Sequence, residues 1–178
     1  MYDGLYERIH AERMRREKEN FEIYIKQLKD PGIPYRTKAA EALGNYKDPR
    51  AVPYLIECAK CETDPGVLYV AICSLAKFRD KSSVVPLLAL LDHSDKWVRS
   101  GAAKALGEIG DRESVFCIKP MLSDENPKIR ASAAEALGLM SYWEFADLVI
   151  PLLDDEESEV RAAARAAVRK LGRGDLAD

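Results

Sequence analysis

Five stretches of this chain are near-copies of one another at a fixed interval, and that self-similarity limits its fold more than any other feature does. They run Tyr-Arg-Thr-Lys-Ala-Ala-Glu-Ala-Leu-Gly from Tyr35, Val-Leu-Tyr-Val-Ala-Ile-Cys-Ser-Leu-Ala from Val67, Val-Arg-Ser-Gly-Ala-Ala-Lys-Ala-Leu-Gly from Val98, Ile-Arg-Ala-Ser-Ala-Ala-Glu-Ala-Leu-Gly from Ile129 and Val-Arg-Ala-Ala-Ala-Arg-Ala-Ala-Val-Arg from Val160. The second residue of each copy (Arg36, Leu68, Arg99, Arg130, Arg161) sets steps of 32, 31, 31 and 31 residues. Counting from it, small or apolar residues fall three, four and seven places on, as in Ala102, Ala103 and Leu106, the spacing of one helix face. A second apolar run precedes each later copy: Val52, Leu55 and Ile56; Val84, Leu87 and Leu88; Val115, Ile118, Met121 and Leu122; Val149, Ile150, Leu152 and Leu153. These runs also have helical spacing, so the unit reads as helix, turn, helix.

The punctuation agrees. Asp64, Asp95 and Asn126 each stand four residues before the Arg position as N-caps, with Pro65 and Pro127 at the first helical position. Lys47-Asp48, Arg79-Asp80 and Gly110-Asp111 end one helix and turn into the next. A helix pair of this size cannot bury its apolar face alone, whereas stacked copies share one core. That predicts a buried spine of Leu43, Leu75, Leu106, Leu137 and Val168, with Gly44, Ala76, Gly107 and Gly138 letting neighbouring helices approach closely. Arg165 and Arg169 replace small residues in the last copy, which reads as a terminal cap near Gly172. The organisation expected is a helical extension over 1–20, one repeat domain over 21–172 with units at about 21–46, 49–78, 81–109, 112–140 and 143–171, and a tail over 173–178. In the extension, Leu5, Tyr6, Ile9 and Met14 are candidates for docking on a partner or a second copy.

The chain is 47% hydrophobic and 32% charged over 178 residues, with a net charge of -3, so it offers phosphate backbones no general attraction. Nothing approaches the roughly 20 apolar residues of a membrane span, and Met1 to Asn20 carries charges of both signs, unlike a signal peptide. A cytoplasmic location is expected, with Cys58, Cys61, Cys73 and Cys117 reduced.

The string Val-Arg-x-x-Ala-Ala-x-Ala-Leu-Gly, then Gly-Asp and Ala-Val-Pro-x-Leu (Ala51 to Leu55, with Ser83-Val84-Val85-Pro86-Leu87 beside it), resembles the short HEAT repeats of phycobilisome-lyase-type proteins over about residues 21 to 172. The resemblance implies an all-α fold, a right-handed α-α superhelix of about five helix pairs. It is poor for function, because such repeats serve chromophore lyases, iron hydroxylases, DNA-repair proteins and plain scaffolds. It also implies that the Arg-bearing helices line a concave groove. Carried onto this sequence, the groove presents Tyr69, Cys73, Trp97, Ser100, Gly101, Lys104, Ala131, Ser132 and Glu135. The small residues would let a partner's backbone approach the wall, and Tyr69 and Trp97 would supply buried contact area at low entropic cost.

Catalysis finds little support. Iron hydroxylases of this fold use His-Glu pairs, whereas His10 is followed by Ala11 and His93 by Ser94. Cys58-Ala-Lys-Cys61 has the spacing of one half of a zinc or redox site, and Cys58 aligns with core positions. Cys73 aligns with polar positions and is a candidate reactive thiol near Lys77. Arg36, Arg99, Arg130 and Arg161 are expected to form an ion-pair ladder with Asp48, Asp80 and Asp111. No catalytic residue, metal or cofactor is expected. The leading reading is a non-catalytic scaffold that binds a helix or extended segment of another protein. The alternatives are a chromophore- or cofactor-lyase-like subunit and, third, a nucleic-acid binder, disfavoured by glutamates among the groove lysines.

Overall fold

The computed structural model describes residues 3–176, and before Phe21 only the side chains of Arg8, Glu12, Arg15, Arg16, Glu19 and Asn20. The sequence candidates Leu5, Tyr6, Ile9 and Met14 therefore lie outside the described side chains. Ten α-helices joined by short 3₁₀ turns make up the regular structure of the described residues, with no strand among them.

They pair off as the repeat demands. The first helices are α1 (Asp3–Gln27), α3 (Val52–Cys61), α5 (Val84–Leu88), α7 (Val115–Ile118) and α9 (Ala146–Val149); the second helices are α2 (Ile33–Tyr46), α4 (Pro65–Phe78), α6 (Lys96–Ile109), α8 (Pro127–Met140) and α10 (Ser158–Lys170). Each second helix packs along the next, while contact among the first helices is sparse. The second helices thus form the tighter, inner row of an α-solenoid. Leu43, Leu75, Leu106, Leu137 and Val168 are each 0% exposed and form the spine.

Local chemistry starts and stops these elements. The Asp64 carboxylate accepts from the Val67 N–H, Asp95 from Trp97 and Val98, and Asn126 from Lys128, capping α4, α6 and α8. The second helices end on left-handed residues at matching positions: Lys47 (φ 53°), Arg79 (φ 51°), Gly110 (φ 73°) and Ser141 (φ 59°). The first helices of the later units are shorter than the apolar runs suggest. Pro120 and Pro151 lack an N–H donor, so α7 and α9 tighten into 3₁₀ turns at Lys119–Ser123 and Ile150–Asp154.

The seams between units depend on missing side chains. A Cβ at Gly107 would come 2.7 Å from the Ala136 Cα and carbonyl oxygen, and one at Gly138 would come 2.8 Å from the Ala167 Cα. A Cβ at Gly44 would collide with Ser74, whose Oγ donates to the Ala40 carbonyl at 2.9 Å.

Two rungs of the expected arginine ladder form, with different acids. Arg36 pairs with Glu62 and Arg130 with Asp155, each in the following unit. Asp48, Asp80 and Asp111 instead cap the 3₁₀ turns that begin the first helices, accepting from the N–H groups of Arg50, Ser82 and Ser114. Those turns need a cap more than the distant arginines need a partner, since a cap satisfies a local orphan donor.

Candidate partner-binding site

Residues two before the Arg position, and one, two and five after it, are the sequence candidates for the inner row, and the structure sorts them into two groups. Tyr69 (38% exposed) and Trp97 (51%) stand out from α4 and α6, with Lys104 exposed and Cys73 and Glu135 half-buried nearby along the row.

Ser100, Gly101, Ala131 and Ser132 form the second group, and here the expectation of an accessible small-residue wall is overturned: all four are buried. Their smallness serves the seams between α4, α6 and α8. The Ser100 and Ser132 hydroxyls hydrogen-bond to each other at 2.5 Å, and the Ser132 hydroxyl also donates to the Lys128 carbonyl at 2.8 Å. A Cβ at Gly101 would lie 3.0 Å from the Tyr69 ring carbons, so the ring rests directly on the α6 backbone. Gly101 thereby holds Tyr69 in place from below.

Cys73 stands one turn beyond Tyr69 on the same helix. Burial pushes the Cys73 thiol up, and Tyr69, Lys77 and Lys104 do not compensate. A raised thiol stays protonated at neutral pH and is a poor nucleophile. Burial drives Cys58 further, to about 11, which fits a core position. Cys61 is exposed on the same helix. Among the described residues no group of three or more His, Cys, Asp or Glu side chains is placed to hold a metal ion.

Trp97 has a more elaborate setting than the sequence suggests. The Lys96 and Lys128 ammonium groups lie 5.5 and 5.7 Å from its ring centroid. Lys128 also bridges to Glu159 at 3.0 Å. A row of indole, ammonium and carboxylate therefore crosses α6, α8 and α10, and a parallel pair joins Lys104 to Glu135 at 3.4 Å. Lys96 and Glu159 were not among the sequence candidates. Glu159 stands 31 residues after Lys128, and Lys128 stands 31 after Trp97, so the repeat register alone carries the signal. The surface carries both signs, with Lys104 and Lys128 paired to glutamates, and it offers aromatic area fixed on rigid helices.

Residues 61–119 and 116–177 match the HEAT repeats family, and residues 35–61 match the PBS lyase HEAT-like repeat. The chain is 49% identical over 63 residues to the bilin biosynthesis protein PecE of Nostoc sp. strain PCC 7120, covering 35% of this chain and 25% of that protein. The PecE of Mastigocladus laminosus is 47% identical over 60 residues, covering 34% and 22%. The matched stretch thus spans about a quarter of the curated relatives' length. Among solved structures, the complex of CpcE and CpcF of phycocyanin lyase from Nostoc sp. PCC7120 superposes with a TM-score of 0.77 at 24% identity, over 88% of this chain and 66% of that one. A Kap121p mutant superposes at 0.72 with 15% identity, over 88% and 19%. At those identities the two structures speak for the solenoid fold. With two HEAT matches spanning residues 61–177, the spine of equivalent leucines and the stacked helix pairs, the chain belongs to the HEAT-repeat family.

Proposed function

We propose that this chain is a protein-binding HEAT array that works within a larger assembly and contacts its partner through Tyr69 and Trp97 on the inner row. The observation that carries this reading is the pair of exposed aromatic rings fixed on rigid helices, Tyr69 on the α6 backbone at Gly101 and Trp97 between two ammonium groups. Rigid aromatics of this kind dominate interface energetics when a partner covers them. The superposition on CpcE and CpcF, which are found in complex with each other, supports a role in assembly. Mixed lysine and glutamate rows favour a protein partner over a nucleic acid, and we place the protein in the cytoplasm. The test is capture of partners from the native host, identified by mass spectrometry, with the wild type and the Tyr69→Ala/Trp97→Ala variant. Hot-spot truncations cost about 2 kcal/mol or more each, so partner recovery should fall at least tenfold while helicity and melting temperature hold. Equal recovery by the two proteins would remove this site from consideration.

A second reading, bilin handling for attachment to a client protein, is favoured by the identity to PecE. It expects a bilin to change its visible absorbance on titration with the protein, with quenching of Trp97 fluorescence. An unchanged spectrum at saturating protein would dismiss it.

A further inference from the structure

The arginine rungs divide the seams of the array into distinct kinds. At the seam of units one and two, Arg36 Nε and Nη2 donate to Glu62 at 2.7 and 3.0 Å, and at the seam of units four and five Arg130 does the same to Asp155 at 2.8 and 2.8 Å. In both, Nη1 is spent on two carbonyls of the arginine's own unit. The seam of units two and three lacks both halves of the rung. Leu68 stands for the arginine and His93 for the acid, and His93 Nδ1 accepts from the Asp95 N–H as the acids do from theirs. The seam of units three and four has both halves, Arg99 and Asp124. Arg99 Nη1 makes its usual two bonds, to the His93 and Ser94 carbonyls at 2.8 and 3.0 Å. Asp124 accepts from the Asn126 N–H at 2.8 Å. The two side chains nevertheless do not meet, and among the described residues nothing engages Arg99 Nε and Nη2. Instead both line a cleft of about 620 Å³ with Leu88, Leu91, Met121 and Asp92.

We infer that this cleft is a binding slot for a backbone peptide group of an extended partner segment, its carbonyl oxygen on the Arg99 fork and its N–H on the Asp124 carboxylate. The chemistry of the two walls selects that group. A carboxylate would suit Arg99 but meet Asp124 and Asp92, and an ammonium would suit the acids but meet Arg99. A neutral trans amide carries an acceptor on one edge and a donor on the opposite edge, and so satisfies both walls with charge-assisted bonds. Leu88, Leu91 and Met121 provide an apolar floor for the neighbouring side chain. The slot lies at the seam edge formed by the ends of the first helices, and it stands whether or not Tyr69 and Trp97 bind anything.

The test uses N-acetyl-leucine N-methylamide as the probe, titrated in the millimolar range against the labelled full chain while the Arg99 Nε–H and Asn126 N–H resonances are followed by NMR. Saturable shifts at both are expected. Arg99→Gln and Asp124→Asn should each weaken the apparent affinity at least tenfold, with Arg99→Lys, which keeps the charge and loses the fork, as the alternative if Arg99→Gln does not fold. Linear, unsaturable shifts, or saturation undisturbed in these variants, would overturn the slot. So would a double-mutant cycle in which Arg99 and Asp124 couple as strongly as Arg130 and Asp155, because the rung would then be closed in solution.

Discussion

Arg130 and Asp155 are the most enclosed ion pair among the described residues, with side chains 10% and 8% exposed. The hydrogen bond from Arg130 holds the Asp155 carboxyl below its ordinary value against the opposing effect of burial. A carboxyl lowered in the folded state binds fewer protons there than in the unfolded chain, so its contribution is present above the unfolded value, about 3.9, and is lost as the pH falls through the folded one. Asp155→Asn should therefore be less stable than the wild type at neutral pH, and the gap should close on acidification. Urea denaturation of both proteins across that range checks it, and a gap that widens in acid would contradict the assignment. A second prediction concerns the backbone. Arg79 is exposed and sits at φ 51°, a left-handed conformation that glycine takes without strain. Arg79→Gly should raise stability by about 0.5–2 kcal/mol, read as a shift in the urea midpoint at constant slope.

Helix-to-helix approach turns on single hydrogen atoms. Gly107 has the Ala136 backbone where a Cβ would go, so Gly107→Ala must push α6 and α8 apart, at a cost of about 1–3 kcal/mol. Gly174→Ala meets nothing within 4 Å and should leave the melting temperature unchanged. The second helices, their caps and their spine are legible in the sequence because caps and apolar spacing act within a few residues. Element lengths are less so. Pro120 and Pro151 sit inside helically spaced runs, and only their missing donors reveal that α7 and α9 give way to 3₁₀ turns. In the candidate site the large residues at Tyr69 and Trp97 read correctly as exposed. The small ones mislead, since Ser100, Gly101, Ala131 and Ser132 look the same in sequence whether they line a groove or fill a seam. The true acids of the ladder, Glu62 and Asp155, hold a fixed repeat register two residues before the caps, and comparing units would find them.

Across the molecule, contacts run from each unit to its neighbours, so stability is distributed as it is in a one-dimensional array. Leu106 lies in the middle unit with neighbours on both sides, and Leu106→Ala should cost about 2–5 kcal/mol, lowering the melting temperature by roughly 2–4 °C for each kcal/mol. α10 has one neighbouring second helix and α6 has two. Amide hydrogen exchange should accordingly be faster in α10 than in α6, and equal protection in the two would mean that the array opens only as a whole. The seams carry a last consequence. Gly107 rests on Ala136, and Gly138 rests on Ala167 in the same way, so the surface a unit offers its successor is the surface its successor offers in turn. Duplicating or deleting one 31-residue block in this region regenerates a mating surface already in use, leaving the chain free to change length over evolution in whole units without inventing a new interface.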